Sequence, residues 1–168
     1  MKLTKTTPLL DRARNFCALS EQCEDAVRQK LVTWGASPAE SDDVVARLYD
    51  EHYLDDERYA RAYCESKILH QHWGRQKVLY QLRLKHLPRA AVDSGMAAVS
   101  DEAYFAVLTD VAEKKLRELT SNSPLDNLSG ESQGAAAHLL RQKLTSFLVT
   151  RGFLIGEINQ VLTNFFPQ

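Results

Sequence analysis

The densest chemical signal in the chain is Tyr53-Leu54-Asp55-Asp56-Glu57-Arg58-Tyr59-Ala60-Arg61-Ala62-Tyr63. Three consecutive acids could hold a metal ion or work as a general acid–base group. On the first turn of a helix, however, neighbouring side chains diverge by about 100°, and no histidine or further acid stands at ligand spacing beside them. The motif therefore reads as structural. Asp55 caps a helix, Asp56 and Glu57 meet the positive end of its dipole, Leu54 packs on Tyr59 as a staple, and Glu57 faces Arg61 one turn on. His70 and His72 are two apart and diverge, whereas helical metal pairs sit four apart. Cys17, Cys23 and Cys64 form no C-x-x-C, and Cys17 reads as core filler. No G-x-S-x-G, phosphate-cradling glycine loop or H-E-x-x-H occurs. No catalytic residue, metal or cofactor is expected, and the chain reads as a non-enzyme.

The charge pattern points to binding instead. The chain is near neutral, with 21 Lys plus Arg against 22 Asp plus Glu, but residues 66–92 hold 6 basic side chains and no acid. Within Arg75–Lys85, Val78, Leu79 and Leu82 form an inward stripe at helical spacing, and Lys77, Tyr80 and Arg83 fall on the opposite face. A basic face with an interleaved aromatic suits phosphates and a stacked base, or an acidic groove with an apolar spot. The expected contact set is Lys67, Arg75, Lys77, Tyr80, Arg83, Lys85 and Arg89. Trp73 reads as core in the first instance, with a contact role as the alternative.

The elements that must position these residues are helices. Five prolines and seven glycines punctuate apolar-periodic segments, and no alternating β-branched run is present. Helices are predicted over 9–20, 23–34, 38–51, 55–72, 75–86, 88–99, 101–119, 135–151 and 154–166. Ser37-Pro38-Ala39-Glu40 carries a capping-box start. Aligning Gly35, His86 and Gly152 exposes an internal repeat. Val27, Val78 and Leu144 lie eight residues before the marks, and Leu31, Leu82 and Leu148 four before. Val45, Met96 and Leu162 lie ten after, and Leu48, Val99 and Phe165 thirteen after. Gly35 and Gly152 suit left-handed helix caps, while His86 suggests that the middle unit ends its helix differently. The expected architecture is all-α: an elongated stack of three tandem three-helix repeats. An N-terminal tail (1–8) precedes repeats at 9–52, 53–100 and 101–168, the last carrying a polar, flexible insertion at 120–134.

At 168 residues with 44% hydrophobic and 26% charged residues, the chain is long enough for a substantial core. It has no run of the ~20 apolar residues that a spanning helix needs, and it lacks the apolar core of a secretory signal. A soluble, cytoplasmic monomer is expected.

Tyr53–Tyr63, followed by Gly74 and the basic helix Arg75–Lys85, resembles the RecX family of recombination regulators, and Arg151-Gly152-Phe153 looks like the family's C-terminal R-G-F. Tyr53, Leu54, Asp55, Asp56, Arg58, Tyr59, Gly152 and Phe153 are thus structural motif positions. His86, where family members often have glycine, and the long insertion are departures. The resemblance implies a protein that binds the RecA recombinase filament and modulates it, in the inhibitory sense, in DNA recombination, repair and the SOS response. Single- or double-stranded DNA stays open as a further partner. A stand-alone helical-repeat nucleic-acid-binding protein is the competing reading.

Overall fold

The structure is a computed structural model that describes residues 6–121 and 130–166. Among the described residues it holds nine α-helices and no strand. In chain order these are α1 (Thr6–Leu19), α2 (Glu24–Thr33), α3 (Pro38–Asp50), α4 (Asp56–Glu65), α5 (Arg75–Leu84), α6 (Arg89–Ala97), α7 (Asp101–Ser121), α8 (Gly130–Thr150) and α9 (Ile155–Leu162). A π-helical segment, Ser66–His70, follows α4 directly. The helix expected over 55–72 is thus interrupted: the Gln71 N–H reaches back five residues to the Ser66 carbonyl at 3.1 Å. Most of the expected insertion, residues 122–129, lies outside the described residues. Its flanks are helical rather than loop, because α7 runs to Ser121 and α8 begins at Gly130.

The chain divides into two compact units. One holds residues up to Tyr63 together with Gln81–Ala98, and the other holds Cys64–Tyr80 together with the chain from Val99 on. In the first unit α1 packs on α2 and α3. Its core includes Leu10, Ala13, Val27, Leu31, Val44 and Leu48, with Phe16 and Trp34 half-buried against them. In the second unit α7 packs on α8, α9 and the π-helical segment. Ile68, Tyr104, Leu108, Leu144, Leu148, Ile158 and Leu162 are fully buried there.

The repeat alignment holds at the level of single residues. Val27, Val78 and Leu144 are buried, as are Leu31, Leu82 and Leu148, all at 0% exposure. In the two later columns Val45, Leu162, Leu48 and Val99 are buried, while Met96 and Phe165 are only half-buried. The helix ends repeat as well. Gly35, His86 and Gly152 have φ of 82°, 56° and 90°. Their N–H groups donate to Val32, Arg83 and Val149, each three residues back, at 3.0, 3.1 and 2.9 Å. The different helix end expected for the middle unit is therefore corrected: His86 takes the same left-handed turn as the glycines. The shared hydrogen-bond pattern holds it there against the steric cost of its Cβ. The helix starts that follow also correspond. The Glu40 carboxylate accepts the Ser37 N–H at 2.8 Å, and Glu157 accepts the Leu154 N–H at 2.9 Å. Ala91 occupies the corresponding place in the middle repeat and has no carboxylate to offer.

The tightest backbone approach lies in the second unit. A Cβ on Gly74 would sit 2.0 Å from the Gly152 carbonyl carbon and 2.2 Å from the Phe153 nitrogen. The Gly74 N–H donates to the Arg151 carbonyl at 2.9 Å, and the Gln76 N–H to the Gly152 carbonyl at 3.1 Å. The Arg75 N–H donates to the Tyr104 hydroxyl at 3.3 Å. The free donors at the start of α5 thus meet the free carbonyls at the end of α8, so each helix end satisfies the other and their dipoles are opposed favourably.

Three outcomes are expected in urea denaturation. Gly74→Ala drives a methyl into backbone and should cost ~1–3 kcal/mol or more. At Gly35 an added Cβ meets nothing within 4 Å, so Gly35→Ala should cost only the left-handed conformation, ~1–2 kcal/mol. His86→Gly should stabilise the chain by ~0.5–1 kcal/mol, the relieved left-handed strain exceeding the glycine's added unfolded-state entropy.

Candidate functional site

The acidic-aromatic motif starts α4 as its residue types dictate. An Asp55 carboxylate oxygen accepts the Arg58 N–H at 2.9 Å, which is the N-cap bond. Leu54 and Tyr59 are both buried. Among the described residues no ion pair joins Glu57 to Arg61. Arg58 instead pairs with Glu21, Nε to Oε1 at 2.6 Å, and donates to the His52 carbonyl at 3.1 Å. Tyr53 is half-buried against the core of the first unit. The Tyr49 hydroxyl lies 3.0 Å from Asp56 and 3.2 Å from Glu24, between two carboxylates. Burial first, and then the charges of Glu24 and Asp55, hold the Asp56 carboxyl above its usual range. The Cys17 and Cys64 thiols are pushed up by burial to about 11, so both are protonated at neutral pH and poor nucleophiles.

The aromatic end of the motif meets the basic block. Tyr59 and Tyr63 stack with ring centroids 5.8 Å apart, and Lys85 Nζ stands 5.8 and 5.6 Å from the two centroids. A cleft of about 250 Å³ beside them is lined by Glu24, Asp25, Arg28, Asp56, Lys85 and His86. Its charges are mixed, which suits no single class of ion.

The seven expected contact residues occupy three kinds of environment. Arg75 is built into the second unit: its guanidinium pairs with Asp101 at 2.6 Å and lies 4.1 Å from the Tyr104 ring centroid. Lys85 rests on the two tyrosines, and Arg89 is exposed beside Asp93, 3.6 Å away on the next turn. Along α5, Tyr80 is 60% exposed and Arg83 is exposed, on the side of the helix away from buried Val78 and Leu82. Lys67 and Lys77 both turn onto Trp73, their ammonium nitrogens 5.0 and 4.1 Å from its ring centroid.

Trp73, expected in the core, is half-buried and serves as the platform for two cations. The spacing hid this role. Lys67 lies six residues before Trp73, which is off-face on a straight α-helix; the π-helical turn brings the two together, with the Trp73 N–H on the Lys67 carbonyl at 2.9 Å. Gly152 and Phe153 belong to the same neighbourhood. The Arg151 guanidinium donates to the carbonyls of Gln71 and His72 at 3.3 and 3.5 Å, and Phe153 is buried 5.7 Å from the Tyr104 ring.

These environments separate stability from binding. Arg75→Gln should lower the denaturation midpoint, because it leaves Asp101 and the Tyr104 face without their cation, at a cost of about 1 kcal/mol. Arg83→Gln should leave the midpoint unchanged. Thermal unfolding followed by circular dichroism distinguishes the two.

Known proteins resemble this chain along most of its length. The family description "RecX, second three-helix domain" matches residues 55–96, from the Asp55 cap to the end of α6. A protein of Cronobacter sakazakii named "Regulatory protein RecX" is 29% identical over 167 residues, covering 94% of this chain and 92% of its own. A protein of the same name from Clostridium acetobutylicum is 27% identical over 159 residues, covering 94% of this chain and 68% of its own. Among solved structures, RecX from Lactobacillus salivarius superposes with a TM-score of 0.75 at 17% identity, covering 95% of each chain, and shares the helical-repeat fold. The matched second domain, the sequence relatives and the shared fold agree with the capped acidic-aromatic helix and the arginine–glycine turn that meets Gly74: over most of its length this chain is similar to the RecX regulatory proteins.

Proposed function

We propose that this protein regulates the RecA recombinase, binding its filament on DNA as a cytoplasmic monomer and restraining filament assembly and ATP-driven recombination. The observation that carries this reading is the sequence relation to proteins named "Regulatory protein RecX" over 94% of the chain. α5 presents a basic surface, and differential binding to one filament arrangement is sufficient to shift assembly. Lys77, Tyr80 and Arg83 recur at three-residue intervals on that helix and form part of the contact face. Among the described residues, no helix is long and apolar enough to cross a membrane.

The test is a titration of the protein into RecA on single-stranded DNA, with ATP hydrolysis as the readout. Hydrolysis should fall as the protein is added. A Lys77→Glu/Arg83→Glu double variant should keep its helicity: Arg83 is exposed, and the half-buried Lys77 gives up only its cation–π contact with Trp73, about 0.5–1 kcal/mol. It should need a higher concentration, by about tenfold or more, for the same effect, because two attractions become repulsions. Unchanged hydrolysis at every concentration of the native chain would overturn the reading.

A further inference from the structure

Glu24, Tyr49 and Asp56 meet in the first compact unit, each from a different helix. The Tyr49 hydroxyl, at the end of α3, lies 3.0 Å from an Asp56 oxygen and 3.2 Å from a Glu24 oxygen. Burial holds the phenol well above its ordinary value, so the hydroxyl keeps its one proton and donates to one carboxylate at a time. Glu24 has a second partner, Arg28, whose Nε stands 2.6 Å from its other oxygen. Among the described residues no cation pairs with Asp56. Nor does α4 need Asp56 as a cap, since Asp55 takes the Arg58 N–H. Burial, only partly opposed by the Tyr49 hydrogen bond, and the charges of Glu24 and Asp55 hold the Asp56 carboxyl above its usual range.

The other charged and titratable groups around the cluster line two clefts. Asp25, Arg28, Lys85 and His86 share one with Glu24 and Asp56. Its two permanent cations are turned elsewhere, Arg28 to Glu24 and Asp42 and Lys85 to the Tyr59–Tyr63 stack. His52, Asp55 and Glu57 share the other cleft with Tyr49 and Asp56. Both clefts give the cluster access to water, so a proton enters and leaves it without unfolding.

We propose that Glu24, Tyr49 and Asp56 form a proton-operated clamp that ties the starts of α2 and α4 to the end of α3. With a proton on Asp56, its carboxyl donates to the Tyr49 oxygen and Tyr49 donates to Glu24, so both hydrogen bonds are made at once. Without that proton one hydroxyl serves two anions, and the carboxylate left over faces a lone pair and a like charge. The folded chain therefore binds this proton more tightly than the unfolded chain. The clamp's stability is fully present below the ordinary aspartate range and is lost as the pH rises through the raised folded value. Glu51, held below its usual range by Arg14, works in the opposite sense, so the clamp is read as a difference between chains. It needs no partner and stands apart from the regulatory reading.

The test uses the full chain. The side-chain carboxyl carbon of Asp56, assigned by NMR in carbon-13-labelled native protein, should titrate above the ordinary aspartate value. Glu24→Gln removes the facing charge and leaves the Tyr49 proton to Asp56, so it should move that titration to lower pH. Asp56→Asn puts a neutral donor where the protonated carboxyl stands. Its urea midpoint, taken relative to the native chain, should therefore climb from about pH 3 to about pH 8. A native Asp56 that titrates at or below the ordinary value would overturn the clamp, as would a Glu24→Gln variant that leaves the titration in place. A midpoint difference that stays constant across the range would overturn it too. Because the carboxyl titration is read on native protein, it decides the matter even where a variant does not fold.

Discussion

The backbone crossing of Gly74 and Gly152 is the constraint on which the second unit depends. Two helix ends, 78 residues apart in the chain, use one another as caps: the N–H groups of Gly74 and Gln76 end on the carbonyls of Arg151 and Gly152. This works only if the chains approach closer than a Cβ permits, so both positions must be glycine. The geometry then propagates outward. The Arg151 guanidinium is held over the carbonyls of Gln71 and His72. The Tyr104 hydroxyl accepts the Arg75 N–H and donates to Glu157 at 2.7 Å, the same carboxylate that starts α9. One close approach thereby joins the starts of α5 and α9 to the end of α8.

Around this framework the cations of the acid-free block divide into distinct tasks. Arg75 is consumed by structure, through Asp101 and the Tyr104 face. Lys85 lies on the Tyr59–Tyr63 stack and links the conspicuous acidic-aromatic motif to the basic block by a cation–π contact. Lys67 and Lys77 share one indole. Arg83 and Tyr80 stand in solvent on the outer side of α5. A count of positive charge treats these as one surface, but the aromatic rings beneath them decide which are anchored and which are available to a partner.

Much of the molecule was legible in the sequence. Apolar residues at three- and four-residue spacing, the Ser37–Glu40 capping box, the Asp55 cap and the equivalence of Leu31, Leu82 and Leu148 all follow from local periodicity and local hydrogen bonds. These act over a turn or two and leave a direct trace in residue order. The outward placing of Tyr80 and Arg83 on α5 was legible for the same reason, whereas the turn of Lys77 onto Trp73 was not.

Only the tertiary structure decided three other matters. His86 holds a left-handed turn that its side chain disfavours, because the hydrogen bonds of the repeat outweigh the local preference. The π-helical turn at Ser66–His70 has no periodic signature, and it alone brings Lys67 to Trp73. The pairing of Gly74 with Gly152 joins residues far apart in the chain, and nothing in the local order of either segment names the other. Periodicity reports which face of a helix is buried; which helix end meets it is set by packing across the whole unit, where short-range preference carries no information.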